Sequence, residues 1–171
     1  MEWPHTTFSL WVDRCLNKIG EWASWLWLLL LLVIVVNVLM RYAFGEGRIE
    51  FEEIQWHLYA VGFLLGLSYA NVHDAHIRVD LIRDRLSPRH RAWIELYGIL
   101  LLLLPFVGLV IVYSVPFIQY SFATSEVSEA PGGLPYRWLI KSCLLLGFAL
   151  LMLSTLARLT RVWRFLFGAN S

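Results

Sequence analysis

The chain has 171 residues, of which 58% are hydrophobic and only 16% charged, with a mean hydropathy of +0.61. Soluble domains average about 45–50% apolar and about 25% charged residues, so this composition excludes an ordinary soluble globular protein. A net charge of +1 supplies no basic face for nucleic acid, and the expected class is an all-α integral membrane protein made of one membrane domain, residues 1–171.

Four stretches are nearly free of charge. Trp22 to Met40, Leu96 to Ser125 and Ser142 to Ala157 contain no Asp, Glu, Lys, Arg or His, and Ile54 to Val72 contains only His57. A transmembrane helix needs roughly 17–25 such residues, so four spans are expected, at about 22–44, 52–72, 89–120 and 136–166. The first run is too long, and begins too late, for the h-region of a cleaved signal peptide.

Residues 7–21 precede the first span. Phe8, Trp11, Val12, Cys15, Leu16 and Ile19 recur at helical period, with Asp13, Arg14, Asn17, Lys18 and Glu21 opposite. That pattern predicts an amphipathic helix lying along the membrane surface. Span one carries Trp22, Trp25 and Trp27 at one end and Tyr42 and Phe44 at the other, as interfacial aromatic belts do. Gly45-Glu46-Gly47 then stops the helix.

In span two, Gly62, Gly66 and Ala70 repeat every four residues, a small-residue face that lets another helix approach closely. His57 lies about one turn inside the span and is expected to hydrogen-bond a neighbour. The polar stretch 71–91 follows, with arginines at 78, 83, 85, 89 and 91. Ile77, Leu81 and Ile82 against Arg78, Asp84 and Arg85 predict a short amphipathic helix there. His76 and Asp80, at i,i+4, are placed to brace it. Ser87-Pro88 reads as an N-cap and first-turn proline. Span three is longer than a bilayer core and holds Pro105, an expected kink. Residues 121–136 form an acidic, turn-rich loop with Glu126 and Glu129. Span four ends in Arg158, Arg161 and Arg164, read as a basic stripe at the membrane surface.

Lys and Arg number ten on the side of the termini and the 71–91 stretch, against Arg41, Arg48, Arg137 and Lys141 on the other. By the positive-inside rule both termini are cytoplasmic and the acidic loops face outward. Cys15 and Cys143 then fall on opposite sides and do not pair. No nucleophile constellation, phosphate loop or metal-ligand cluster is present, so neither catalysis nor a cofactor is expected. His57 and His73 stand sixteen residues apart, about 24 Å along a helix, too far to share one haem. The spans lack the midplane charge of a self-contained transporter, which leaves an accessory membrane subunit. A non-catalytic anchor of a respiratory enzyme complex is the alternative.

Several short runs carry a resemblance. Asn37-Val38-Leu39-Met40-Arg41-Tyr42, Glu52-Glu53 opening span two, His76-Ile77-Arg78-Val79-Asp80-Leu81, and Gly133-Leu134-Pro135-Tyr136-Arg137-Trp138 with Gly147-Phe148 occur in that order. Together they resemble the small permease (Q-type) subunit of tripartite ATP-independent periplasmic (TRAP) transporters. Asp74-Ala75 and Leu146 depart from the family's usual Gly and Pro nearby. The resemblance implies a multi-pass protein of a bacterial inner membrane. It implies a subunit that scaffolds a large permease subunit for ion-driven uptake, commonly with sodium, of an organic anion such as a carboxylate. The implied partners are that large subunit, a periplasmic substrate-binding protein and membrane lipid. Arg41 with Glu52 or Glu53 is expected as a polar pair at the outer interface. Gly62, Gly66 and Ala70 are expected in helix packing, and His76, Arg78 and Asp80 in a cytoplasmic hinge. Glu126 and Glu129 are the expected contacts for the binding protein.

Overall fold

The computed structural model describes residues 3–75 and 86–168 and is helical throughout its regular structure. Helix α1 spans Thr7–Ala43. It starts at a reciprocal cap: the Thr6 hydroxyl accepts from the Ser9 N–H at 3.1 Å, and the Ser9 hydroxyl accepts from the Thr6 N–H at 2.9 Å. These bonds satisfy donors that a helix start otherwise leaves open. It ends where Gly45 takes φ +69° and the Glu46 N–H reaches back to the Met40 carbonyl at 3.1 Å; a left-handed φ is least strained at glycine.

The expected separate surface helix at 7–21 is not a separate element, because α1 runs unbroken through Trp22. Nothing in the sequence interrupts it: there is no proline between Thr7 and Ala43, and Gly20 alone costs only about 1 kcal/mol in a helix. Part of the apolar stripe of 7–21 turns inward instead. Val12 and Leu16 are fully buried against Ala157, with Leu150 and Leu153 around them.

Helix α2, Ile49–Val72, places Glu50 and Glu52 in its first turn, where the helix dipole favours acids. Helix α3, Pro88–Gly98, begins at the Ser87 cap with Pro88 in its first turn. It continues without a gap through a π-turn at Ile99–Leu103 into α4, Leu104–Ala123. There the Leu104 N–H bonds to the Ile99 carbonyl rather than one residue nearer. The cause follows directly in sequence: Pro105 has no N–H, and its ring crowds the preceding turn, so the turn widens. Pro116 lies inside α4 as well. Helix α5 spans Arg137–Phe167.

Helix α5 is the central post, packed against α1, α2, α3 and α4, while α1 and α2 lie side by side. Its last third holds both buried apolar clusters, the one just described and a second of Trp3, Ala92, Leu96 and Val162. Much of the remaining helical surface is exposed Leu, Val, Phe and Trp. Three helical stretches, Thr7–Ala43, Pro88–Ala123 and Arg137–Phe167, are long and apolar enough to cross a membrane. Helix α2, about 36 Å at helical rise, is long enough but is diluted by Gln55, His57 and Asn71.

Candidate functional site: polar clusters at the two ends of the bundle

At the end that holds the chain termini, the site is built on Arg158 of α5. Its guanidinium is nearly buried, 9% exposed, and donates to the Glu95 carboxylate of α3, to Asp74 Oδ1 at 2.7 Å and to the Asn71 carbonyl of α2 at 3.3 Å. The Asn71 amide donates in turn to the Ser154 hydroxyl at 2.9 Å. One turn further on, Arg161 pairs with Asp13 of α1, and Arg164 donates to the His5 carbonyl at 2.8 Å. His73 and Asn17 bond at 2.9 Å, and with Asp13, Asp74, Arg158 and Arg161 they border a polar cleft of about 420 Å³.

Arg158 and Arg161 therefore do not form a lipid-facing basic stripe. A guanidinium offers five donors in a fixed fork, and here that fork ties three helices together. Spacing along the chain does not reveal this network, yet one signal of it is present. Glu95 falls on the same face of α3 as buried Ala92, Leu96 and Ile99, and an acid on a buried face requires a cation.

At the opposite end, Arg41 pairs with Glu52, both about half exposed. Glu53 is engaged elsewhere, accepting from the Ser128 hydroxyl and, at 2.6 Å, from the Leu134 N–H. Of the two acids considered for Arg41, it is Glu52 that pairs with it. Glu53 instead fastens the 124–136 loop to α2. The loop bends through three left-handed residues, Ser125, Gly132 and Tyr136, and closes with the Ser128 N–H on the Leu134 carbonyl at 3.2 Å.

Glu126 turns inward to Lys141 and, at 3.8 Å, Arg137. Lys141 also sits 4.0 Å over the Phe117 ring, a cation–π contact. The hydrogen bond from the Lys141 ammonium holds the Glu126 carboxyl below its ordinary pKa. Glu129 is exposed. Between α1 and α2, a cleft of about 330 Å³ is bordered by Asn37, Arg41, Glu52 and Gln55. Asn37 Oδ1 and Gln55 Nε2 are buried at it without a partner among the described residues.

The small-residue face of α2 divides. At Gly62 an added Cβ would meet the Trp27 ring of α1 at 3.3 Å, whereas at Gly66 nothing lies within 4 Å. The carbonyl of Ala70 accepts from the Ala75 N–H at 2.9 Å. Two other glycines mark the close helix approaches: Gly20 under the Tyr69 ring, and Gly147, where a Cβ would stand 2.8 Å from Leu64 Cβ. His57 bonds to the Glu53 carbonyl of its own helix. His76, Arg78 and Asp80 lie outside the described residues.

The arrangement is one of helix-to-helix ties at both ends and an apolar exterior between them. Over residues 6–165 the chain matches the family described as Tripartite ATP-independent periplasmic transporters, DctQ component. The chain belongs to this family. A search of curated proteins finds no match to it. As a DctQ component it is a small membrane subunit of a TRAP transporter. It is an integral membrane protein whose family implies a large permease and a substrate-binding protein as companions. The respiratory-anchor alternative finds no support in the match.

Proposed function

We propose that this DctQ component is a non-catalytic scaffold for the large permease subunit, in the inner membrane of a bacterium. The large subunit takes up an organic anion such as a carboxylate on an ion gradient, with sodium as the coupling ion. The chain crosses the membrane four times, by α1, α2, the continuous α3–α4 rod and α5. Both termini and the 76–85 segment are cytoplasmic, following the ten-to-four excess of Lys and Arg on that side. The observation that carries this reading is the family match over residues 6–165.

The geometry suits a static part. Arg41, Arg137, Lys141, Arg158 and Arg161 are engaged by acids of the chain itself. The exposed apolar faces of the helices remain for lipid and for the large subunit. In the outer loop, Glu126 is occupied internally and Glu129 points out, so Glu129 with its neighbours is the proposed contact for the binding protein. His76, Arg78 and Asp80 keep their proposed place in the cytoplasmic hinge.

The test is reconstitution into liposomes of the large subunit with and without this chain, with binding protein, labelled carboxylate and a sodium gradient. Uptake should require both membrane chains and collapse without the gradient. Full uptake by the large subunit alone would refute the scaffold role.

A further inference from the structure

The cations near the start of α1 differ from those of α5. Arg158 and Arg161 are engaged by carboxylates, but Arg14 and Lys18 are exposed and have no ion-pair or hydrogen-bond partner among the described residues. They stand at i,i+4 and so share one face of α1. Directly below Lys18 that face opens into a groove between α1 and α2 of about 390 Å³, lined by Lys18, Ile19, Trp22, Ala23, Leu26 and Leu65. Apart from the one ammonium, the lining is apolar. From Lys18 to Leu26 the helix rises about 12 Å, close to the depth of one leaflet's hydrocarbon, about 15 Å. The exposed Trp22 ring sits between the two levels, where interfacial tryptophans collect.

We propose that this groove binds one anionic phospholipid. Its phosphate-bearing headgroup lies against Lys18 and Arg14, and an acyl chain runs along Ile19, Ala23, Leu26 and Leu65. The charge pattern selects the headgroup. Two unpaired cations face one acid on the same stretch, Glu21, which is also exposed and unpaired, so the site has a net positive charge. A zwitterionic headgroup would bring its own ammonium to that surface and gain less. The inference rests on the chain being an integral membrane protein and is indifferent to which side the termini occupy.

Native mass spectrometry of the purified full chain, titrated with phosphatidylglycerol, phosphatidylcholine or inorganic phosphate, tests it. Phosphatidylglycerol should be retained well above phosphatidylcholine. Near a membrane surface each Lys or Arg contributes about 1 kcal/mol toward an anionic lipid. Lys18→Gln should therefore weaken retention about fivefold, and the Arg14→Gln/Lys18→Gln pair about thirtyfold. Lys18→Arg should restore it, and Glu21→Gln should tighten it. Arg89→Gln, which removes an exposed cation on α3, a helix that does not line the groove, should change nothing. Filling the groove by Leu65→Trp should weaken retention with every charge intact, and Ala23→Phe serves if that variant fails to fold. Equal retention of the two lipids, equal loss in Arg89→Gln and Lys18→Gln, or displacement of lipid by phosphate alone would each overturn the proposal. So would a cross-link from Leu65→Cys to a co-expressed large subunit, because protein would then cover the groove.

Discussion

The two ends of the bundle use the same chemistry with different weight. At the end with the chain termini Arg158 is 9% exposed and answers two carboxylates and a backbone carbonyl from neighbouring elements. At the opposite end the Arg41–Glu52 pair is 52% and 46% exposed and joins only the adjacent ends of α1 and α2. Two unit charges 4 Å apart attract by about 1 kcal/mol in water and by about 4 kcal/mol at an effective dielectric near 20. Solvent, not pairing, therefore separates the ends. The end with the chain termini is an anchor that fixes α2, α3 and α5 together, while the Arg41–Glu52 pair at the opposite end is a tie that can be exchanged.

Removing the anchor is the largest test of this difference. Arg158→Met leaves the Glu95 and Asp74 carboxylates without their guanidinium, and stripping one partner from a buried pair costs about 3–5 kcal/mol. Asp74 is 40% exposed, so the expected loss is near the lower figure. It should appear in thermal unfolding of the detergent-solubilised chain. Arg158→Lys should fall between, since an ammonium cannot span the three acceptors as a planar fork does. Adding Glu95→Gln to Arg158→Met should recover part of the loss. Unfolding of Arg158→Met at the wild-type temperature would remove the distinction between the ends.

Membrane class and two helix limits were legible in the sequence because they depend on local chemistry. Ser87-Pro88 starts α3, and Gly45 stops α1. Arg41 and Glu52 were legible as neighbours because both close a helix end next to the same short loop. Arg158 was not, since its partners at 71, 74 and 95 are distant in sequence, and three arginines at three-residue spacing read equally well as a solvated stripe. The glycines teach the same lesson. Regular spacing drew attention to Gly66, which faces open space, whereas Gly147 carries the close approach to Leu64. Spacing reports which face a residue occupies on its own helix, but not which face a neighbour covers. Residues 7–21 look like a separate helix in sequence because the polarity changes at Trp22. Backbone hydrogen bonding is indifferent to that change.

The Arg41–Glu52 pair provides a smaller contrast. Arg41→Gln should cost less than 1 kcal/mol, the usual worth of an exposed ion pair. Its effect should fade between low salt and about 1 M, where the screening length falls to about 3 Å. Chemical denaturation of the detergent-solubilised variant at both salt concentrations measures this. A loss matching that of Arg158→Met would mean that the Arg41 end is an anchor too.

The smallest effect concerns the 124–136 loop and is read through pH. The Lys141 hydrogen bond lowers the Glu126 pKa in the folded chain, so the folded state favours the ionised form more than the unfolded state does. The resulting stability is fully present above the ordinary carboxylate range, about 4.3. It is lost as pH falls through the lower folded value, because the folded chain must then take up a proton it holds weakly. Melting curves between pH 7 and pH 3 should therefore show an acid-side decline that is shallower in Glu126→Gln, which has no carboxyl to titrate. Lys141→Gln should flatten the same limb, because the group that lowers the pKa is gone. If only Glu126→Gln flattens it, the cause lies with the remaining neighbours of Glu126, Ser121 and Arg137, and the loop is held by the end of α4 and the first residue of α5 rather than by α5's second turn.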